Sequence, residues 1–192
     1  MTCWEFTTDF NIDLALSLAQ VSKAIYHHEH LDIETHLAES FNFEEAFFMQ
    51  KKISDGNNFW RNLLNIRNKS GNVVDLQAAL CRRGNTVFIV FQGSKEKEDW
   101  LTNLTVGRKT LPYSNILAHR GFVNATEAFI DAVNSTLNSS TDQRLKDLIS
   151  LAFHQPLSDL NYVITGHSLG GAIATLTGAY LHSQGIDRKS VV

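Results

Sequence analysis

The run Asn161-Tyr162-Val163-Ile164-Thr165-Gly166-His167-Ser168-Leu169-Gly170-Gly171-Ala172 constrains this chain more than any other, because it demands a strand, a very tight turn and a helix in quick succession. Tyr162, Val163 and Ile164 are aromatic or β-branched and suit a buried strand. Beyond the turn, apolar residues return at helical spacing as Leu169, Ile173, Leu176 and Tyr180, with Ala172, Ala174 and Ala179 as strong helix formers. Between the two lies G-x-S-x-G, and side chains at Gly166 or Gly170 would collide in so sharp a turn. The hydroxyl of Ser168 is then lifted clear of the sheet at a helix N-terminus, where the dipole and the free amides favour developing negative charge. A plain strand-to-helix turn would use the same glycines for packing alone. Chance produces the pattern about 0.06 times in a chain of this size, without also supplying the strand and the helix.

The 192 residues suffice for one domain with a sizeable core, and a composition 43% hydrophobic and 19% charged is that of a globular protein. A formal net charge of -3 gives no general attraction to nucleic acid or to an anionic membrane, so nucleic acid is not an expected partner. Cys3 and Cys81 form neither a disulfide framework nor a C-x-x-C pair. The start, Met1-Thr2-Cys3-Trp4-Glu5-Phe6, lacks a basic segment followed by an apolar one, and no apolar run approaches the roughly 18 residues that span a bilayer. On those grounds a cytoplasmic protein is expected. The sequons Asn124-Ala125-Thr126 and Asn134-Ser135-Thr136 are then ordinary surface residues.

Along the chain, Leu14, Leu18, Val21 and Ile25 predict an amphipathic helix over Asp13 to Tyr26, with Asp13 as N-cap, packed outside a sheet. His27-His28-Glu29-His30 resembles a metal cluster but lacks a third or fourth ligand with supporting partners nearby, and reads as a solvated helix end; no metal is expected. Phe41, Phe43, Phe47 and Phe48 read as core or cleft wall. Lys51 to Lys69 has no clear period. Strand-like runs from Val73 to Cys81 and from Thr86 to Phe91 flank Gly84-Asn85 and predict a hairpin, whose second strand is apolar on both faces, as in a strand covered by helices on both sides.

Phe91-Gln92-Gly93-Ser94, Asp99-Trp100, His119-Arg120-Gly121-Phe122 and Gly166-His167-Ser168-Leu169-Gly170-Gly171 follow one another in this order. Together, over roughly residues 75 to 183, they resemble the class three, or fungal-type, lipase family of α/β-hydrolases. The resemblance implies an α/β-hydrolase fold, a mostly parallel sheet with flanking helices, in a single partial domain over residues 1 to 192 with an N-terminal helical region over 1 to 70. It implies lipase-like hydrolysis of triacylglycerols or other acyl esters, in lipid metabolism, with Ser168 as nucleophile and an acyl-enzyme, and with Ser94 and Leu169 supplying the oxyanion hole. The elbow would consist of Gly166, His167, Gly170 and Gly171, with His167 pointing away from the chemistry. Lys95 to Leu104, including Asp99, Trp100, Leu101 and Leu104, matches a lid that contacts a lipid surface, although Trp100 and Leu104 packed in a core explain the same letters. His119, Gly121 and Phe122 have a structural part, with Phe122 opening a helix over Val123 to Leu137. No cofactor is implied. Gln92 stands where the family has arginine, and cannot copy its charge-assisted hydrogen bonds.

The family's triad follows the order Ser, then Asp or Glu, then His. After Ser168 come His182 and Asp187. Asp187 precedes no usable histidine, and His182, fourteen residues on, sits about 20 Å away along the helix at roughly 1.5 Å per residue. Val191-Val192 looks like the start of a further parallel strand. The chain is therefore expected to be the N-terminal part of a hydrolase domain, inactive alone: a truncated gene product, a fragment, or one piece of a split enzyme with a complementing C-terminal fragment. A non-catalytic lipid-surface remnant and an acyltransferase with an alcohol acceptor are the competing functions.

Overall fold

Asn11 begins the first helix, α1, Ile12–Ala24. The cap is Asn11, not Asp13, because Asn11 lies in extended backbone and its Oδ1 accepts from the amides of Asp13 and Leu14, at 3.0 Å each. Asp13 falls within the first turn, where its carboxylate faces the positive end of the dipole. A 3-10 turn, Ile25–His27, carries the chain on from α1. The computed structural model describes residues 11–27, 32–50, 77–93, 107–154 and 160–186.

Helix α2, Ile33–Phe41, is capped by Asp32 and ends at Asn42, which takes the left-handed conformation with φ 56°. Strand β1, Glu45–Gln50, follows. Strands β2, Gln77–Arg83, and β3, Thr86–Phe91, form the expected hairpin around Gly84-Asn85. A small antiparallel pair, β4 (Arg108–Thr110) and β5 (Leu117–His119), leads into helices α3 (Arg120–Ser139) and α4 (Gln143–Phe153). Strand β6, Asn161–Gly166, and helix α5, Leu169–Ser183, complete the described elements.

Among the described residues the main sheet has the order β1-β2-β3-β6. It is mixed: β1 and β3 run antiparallel to β2, and parallel pairing is confined to β3 and β6, in a register that sets Thr86 opposite Asn161 and Phe91 opposite Gly166. The parallel pair requires a crossover, which α3 and α4 supply. This is an α/β arrangement of the α/β-hydrolase kind, but among the described residues the sheet is mixed where a mostly parallel one was expected, because the β2-β3 hairpin and its β1 neighbour pair antiparallel. Side chains alternate along the strands so that each face has its own core. Val87, Ile89, Phe91, Tyr162 and Ile164 pack against α3, α4 and α5. Phe88, Val90 and Val163 pack against α1 and α2. Every residue of β3 is buried, as a strand covered on both faces demands.

The aromatic cluster belongs to the core. Phe41, Phe43 and Phe47 are buried, and the ring of Phe43 lies 4.9 Å from that of Phe88. Phe88 is fully buried between the sheet and the α1-α2 layer. Truncating it removes its transfer energy and leaves a cavity. Phe88→Ala is expected to destabilise the fold by about 3–5 kcal/mol, measured as a lowered denaturant midpoint with an unchanged slope.

Candidate active site

The carboxyl ends of β3 and β6 meet beside the start of α5, and the site is built there. Ser168 is exposed, with φ 58° and ψ -120°, a strained conformation for a residue with a side chain. Such strain persists only where the surroundings hold it. Here the glycines supply the space: a Cβ at Gly166 would lie 2.5 Å from the Gly170 carbonyl carbon, and one at Gly170 would lie 2.6 Å from the Phe91 carbonyl oxygen. The elbow is pressed against the end of β3 with no room for even a methyl group.

The amides of Gly170 and Gly171 donate to the carbonyls of His167 and Ser168 at 3.0 Å each. The Leu169 amide, the first of α5, has no backbone acceptor among the described residues. His167 does not face the nucleophile's chemistry: its Nδ1 lies 3.3 Å from the hydroxyl of Tyr26, and the two rings meet edge to face. Among the described residues no histidine is hydrogen-bonded to Ser168. His182 stands in the last turn of α5, far from the elbow.

On the β3 side, the Gly93 amide donates to the Tyr26 hydroxyl at 2.9 Å. Tyr26 is a residue that sequence reasoning missed, since it reads there as the last turn of an amphipathic helix. A polar tip at the helix end, on a residue whose ring suits the packed face, was the available signal. Burial raises the Tyr26 pKa, partly offset by the Gly93 hydrogen bond. The folded state thus holds this proton more tightly than the unfolded state does. Any stability tied to it is fully present below pH about 10 and is lost as pH rises above that value. Thermal midpoints from pH 8 to 11 are expected to fall above pH about 10, and less steeply in Tyr26→Phe.

Gln92 is buried, its backbone amide donating to the Gln77 carbonyl at 3.0 Å, while both polar atoms of its side-chain amide lack a partner among the described residues. Glutamine in place of arginine thus sets a buried side-chain amide at the strand end with no partner among the described residues. His119 caps α3, its Nδ1 accepting from the Gly121 amide at 3.2 Å. The helix consequently opens at Arg120, three residues earlier than the sequence suggested. Ser94 and the lid candidates Asp99, Trp100, Leu101 and Leu104 lie outside the described residues, as do His28, His30, Asp187 and the pair Val191-Val192.

A family model described as Lipase (class 3) matches residues 88–192. The chain is 28% identical over 100 residues to the secreted mono- and diacylglycerol lipase 1 of Fusarium solani, covering 52% of this chain and 26% of that protein. It is 32% identical over 110 residues to the lipase of Rhizomucor miehei, covering 55% of this chain and 27% of that protein. Phospholipase A1-II 6 of Oryza sativa subsp. japonica matches at 27% identity, over 58% of this chain and 28% of the relative. Among solved structures, the Rhizomucor miehei triacylglyceride lipase superposes with a TM-score of 0.41 at 27% identity, covering 62% of this chain and 41% of that one. The matches span about a quarter of the length of the curated relatives.

The expectation of a cytoplasmic protein is overturned by the Fusarium relative, which is a secreted lipase. That expectation rested on two absences, of a signal-like start and of a bilayer-spanning apolar run, and neither absence carries information about compartment. Among the described residues no helix is long and apolar enough to cross a membrane.

Proposed function

Because the chain belongs to the class 3 lipase family, we propose that it supplies the nucleophile and the oxyanion hole for hydrolysis of an acyl ester. The carrying observation is the conformation of Ser168, an exposed hydroxyl on a strained turn at the head of a helix. Ser168 Oγ attacks the ester carbonyl carbon while its proton passes to a base, and the carbonyl π pair moves onto oxygen. The Leu169 amide and a donor at Ser94, the residue after Gly93, hold that oxyanion. Collapse of the tetrahedral species expels the alcohol and leaves an acyl-serine, which water then cleaves by the same steps in reverse.

The relatives' names speak of mono- and diacylglycerol, of phospholipid and of lipid generally. Their shared chemistry is the carboxylic ester of an acyl chain, and that is the substrate class proposed here. The setting proposed is extracellular. A fluorophosphonate probe mimics the tetrahedral species and tests the reading directly on the full-length protein. Covalent mass added at Ser168 supports it, and an unlabelled Ser168 in folded protein sinks it.

A further inference from the structure

The hydroxyl of Tyr26 sits where three separate segments meet: the 3-10 turn after α1, the end of β3 and the elbow after β6. It accepts the Gly93 amide at 2.9 Å and lies 3.3 Å from His167 Nδ1. With one lone pair taken by Gly93, its own proton is free to donate to Nδ1. A Cβ added to Gly93 would approach that hydroxyl to 2.5 Å, the His167 carbonyl oxygen to 2.3 Å and the Ser168 Cβ to 3.2 Å. The three segments are in close contact, without slack.

We propose that Tyr26 is a positioning residue of the oxyanion hole, one hydroxyl that fixes the end of β3 and the elbow relative to each other. This rests on the hydrolase reading above. Gly93 is the pivot of the peptide that leads to the second oxyanion donor, and glycine alone does not define its own backbone angles. Holding its amide fixes the plane of the peptide between Gln92 and Gly93 at the end of β3. The bond also consumes the Gly93 amide, so Gly93 itself is not a donor to the oxyanion. The contact to His167 anchors the other half of the hole, since the Leu169 amide follows two residues later on the same turn. Donors in such a hole act only when placed at hydrogen-bond distance from the oxyanion, and a displacement of about 1 Å can cost on the order of a hundredfold in rate. The Tyr26 hydroxyl is bonded to the Gly93 amide and lies beside the His167 ring, so its part is to hold those two segments in place.

The test uses the full-length protein, its Tyr26→Phe variant and a soluble acyl ester. Tyr26→Phe is expected to lower kcat by about 10- to 100-fold, with KM changed by less than about twofold, because the donors act on charge that develops in the transition state. Fluorophosphonate labelling of Ser168 should slow by a similar factor yet reach the same final extent. Hydrogen exchange at the Gly93 amide, followed by NMR, should accelerate at least about tenfold as its acceptor is lost. His167→Leu supplies a second variant that leaves Tyr26 in place: kcat falls while Gly93 exchange stays slow.

Wild-type labelling and turnover in Tyr26→Phe, with faster Gly93 exchange, would overturn the proposal and leave Tyr26 a packing residue while the hydrolase reading stands. Unchanged Gly93 exchange would overturn it as well. A wild-type protein that is folded but neither labelled nor active would remove the hydrolase reading, and the proposal with it.

Discussion

Ser168→Ala in the full-length protein is expected to reduce ester hydrolysis by about 10³-fold or more while leaving the fold intact. The attacking atom is Oγ, and nothing else among the described residues stands at the elbow to replace it. Where nucleophile and base act as one unit, loss of the nucleophile costs up to about 10⁶ in kcat, and what remains comes from the oxyanion hole and binding. The strain at φ 58° is carried by any residue with a Cβ, so serine and alanine bear it equally. The thermal midpoint should therefore move little. Measurement of kcat/KM on a soluble acyl ester, together with thermal unfolding, checks both halves. A variant hydrolysing at the wild-type rate would show that the activity belongs elsewhere.

A large structural effect is expected from Gly170→Ala. Its Cβ would lie 2.6 Å from the Phe91 carbonyl oxygen and 3.0 Å from the Gln92 carbonyl carbon. Both are backbone atoms at the end of a fully buried strand, paired with β2 on one side and β6 on the other. Neither can retreat as the end of a flexible side chain can. Overpacking usually costs 1–3 kcal/mol, and a clash with fixed backbone belongs at or above the top of that range, about 3 kcal/mol or more. The substitution should also push the start of α5 away from β3, so Ser168 reacts slowly even in protein that remains folded. Gly171→Ala provides the comparison, because its Cβ would meet the Gly166 carbonyl oxygen at a milder 3.2 Å. Denaturant midpoints of the two variants should differ by more than about 1 kcal/mol; equal midpoints would show that the elbow yields more readily than the contacts imply.

The elbow was legible in sequence because its demands are local. Gly166 and Gly170 are required by atoms within a few residues or on the strand just beside them, and Tyr162 to Ile164 and Leu169 to Tyr180 carry the strand and helix periods openly. The hairpin around Gly84-Asn85 was legible for the same reason. The cap of α1 was not: Asp13 and Asn11 both suit a cap, and only the extended backbone of Asn11 lets its Oδ1 reach two amides. Helix α2 and strand β1 stayed hidden in the run from Glu34 to Gln50, where Phe47 and Phe48 are adjacent and blur the two-residue alternation of a strand. Tyr26 was illegible as a site residue because its partners, Gly93 and His167, are distant in sequence and brought together only by the sheet. The opposite holds for Gln92, whose departure from arginine was visible in the letters and whose unsatisfied amide the structure places at the strand end.

The parallel pairing of β3 with β6 also governs how the molecule acquires its reactive serine. Residues 86 and 161 are neighbours in that ladder, with the β4-β5 hairpin and two helices strung between them. Closing so long a loop is entropically costly before any contact across it is gained, whereas the β2-β3 hairpin and the individual helices need only near neighbours. Local pieces are thus expected to form ahead of the β3-β6 seam, and the turn bearing Ser168 to take its strained shape as Gly170 seats against Phe91. The poised serine is consequently expected to appear late in folding, once the β3-β6 seam has closed.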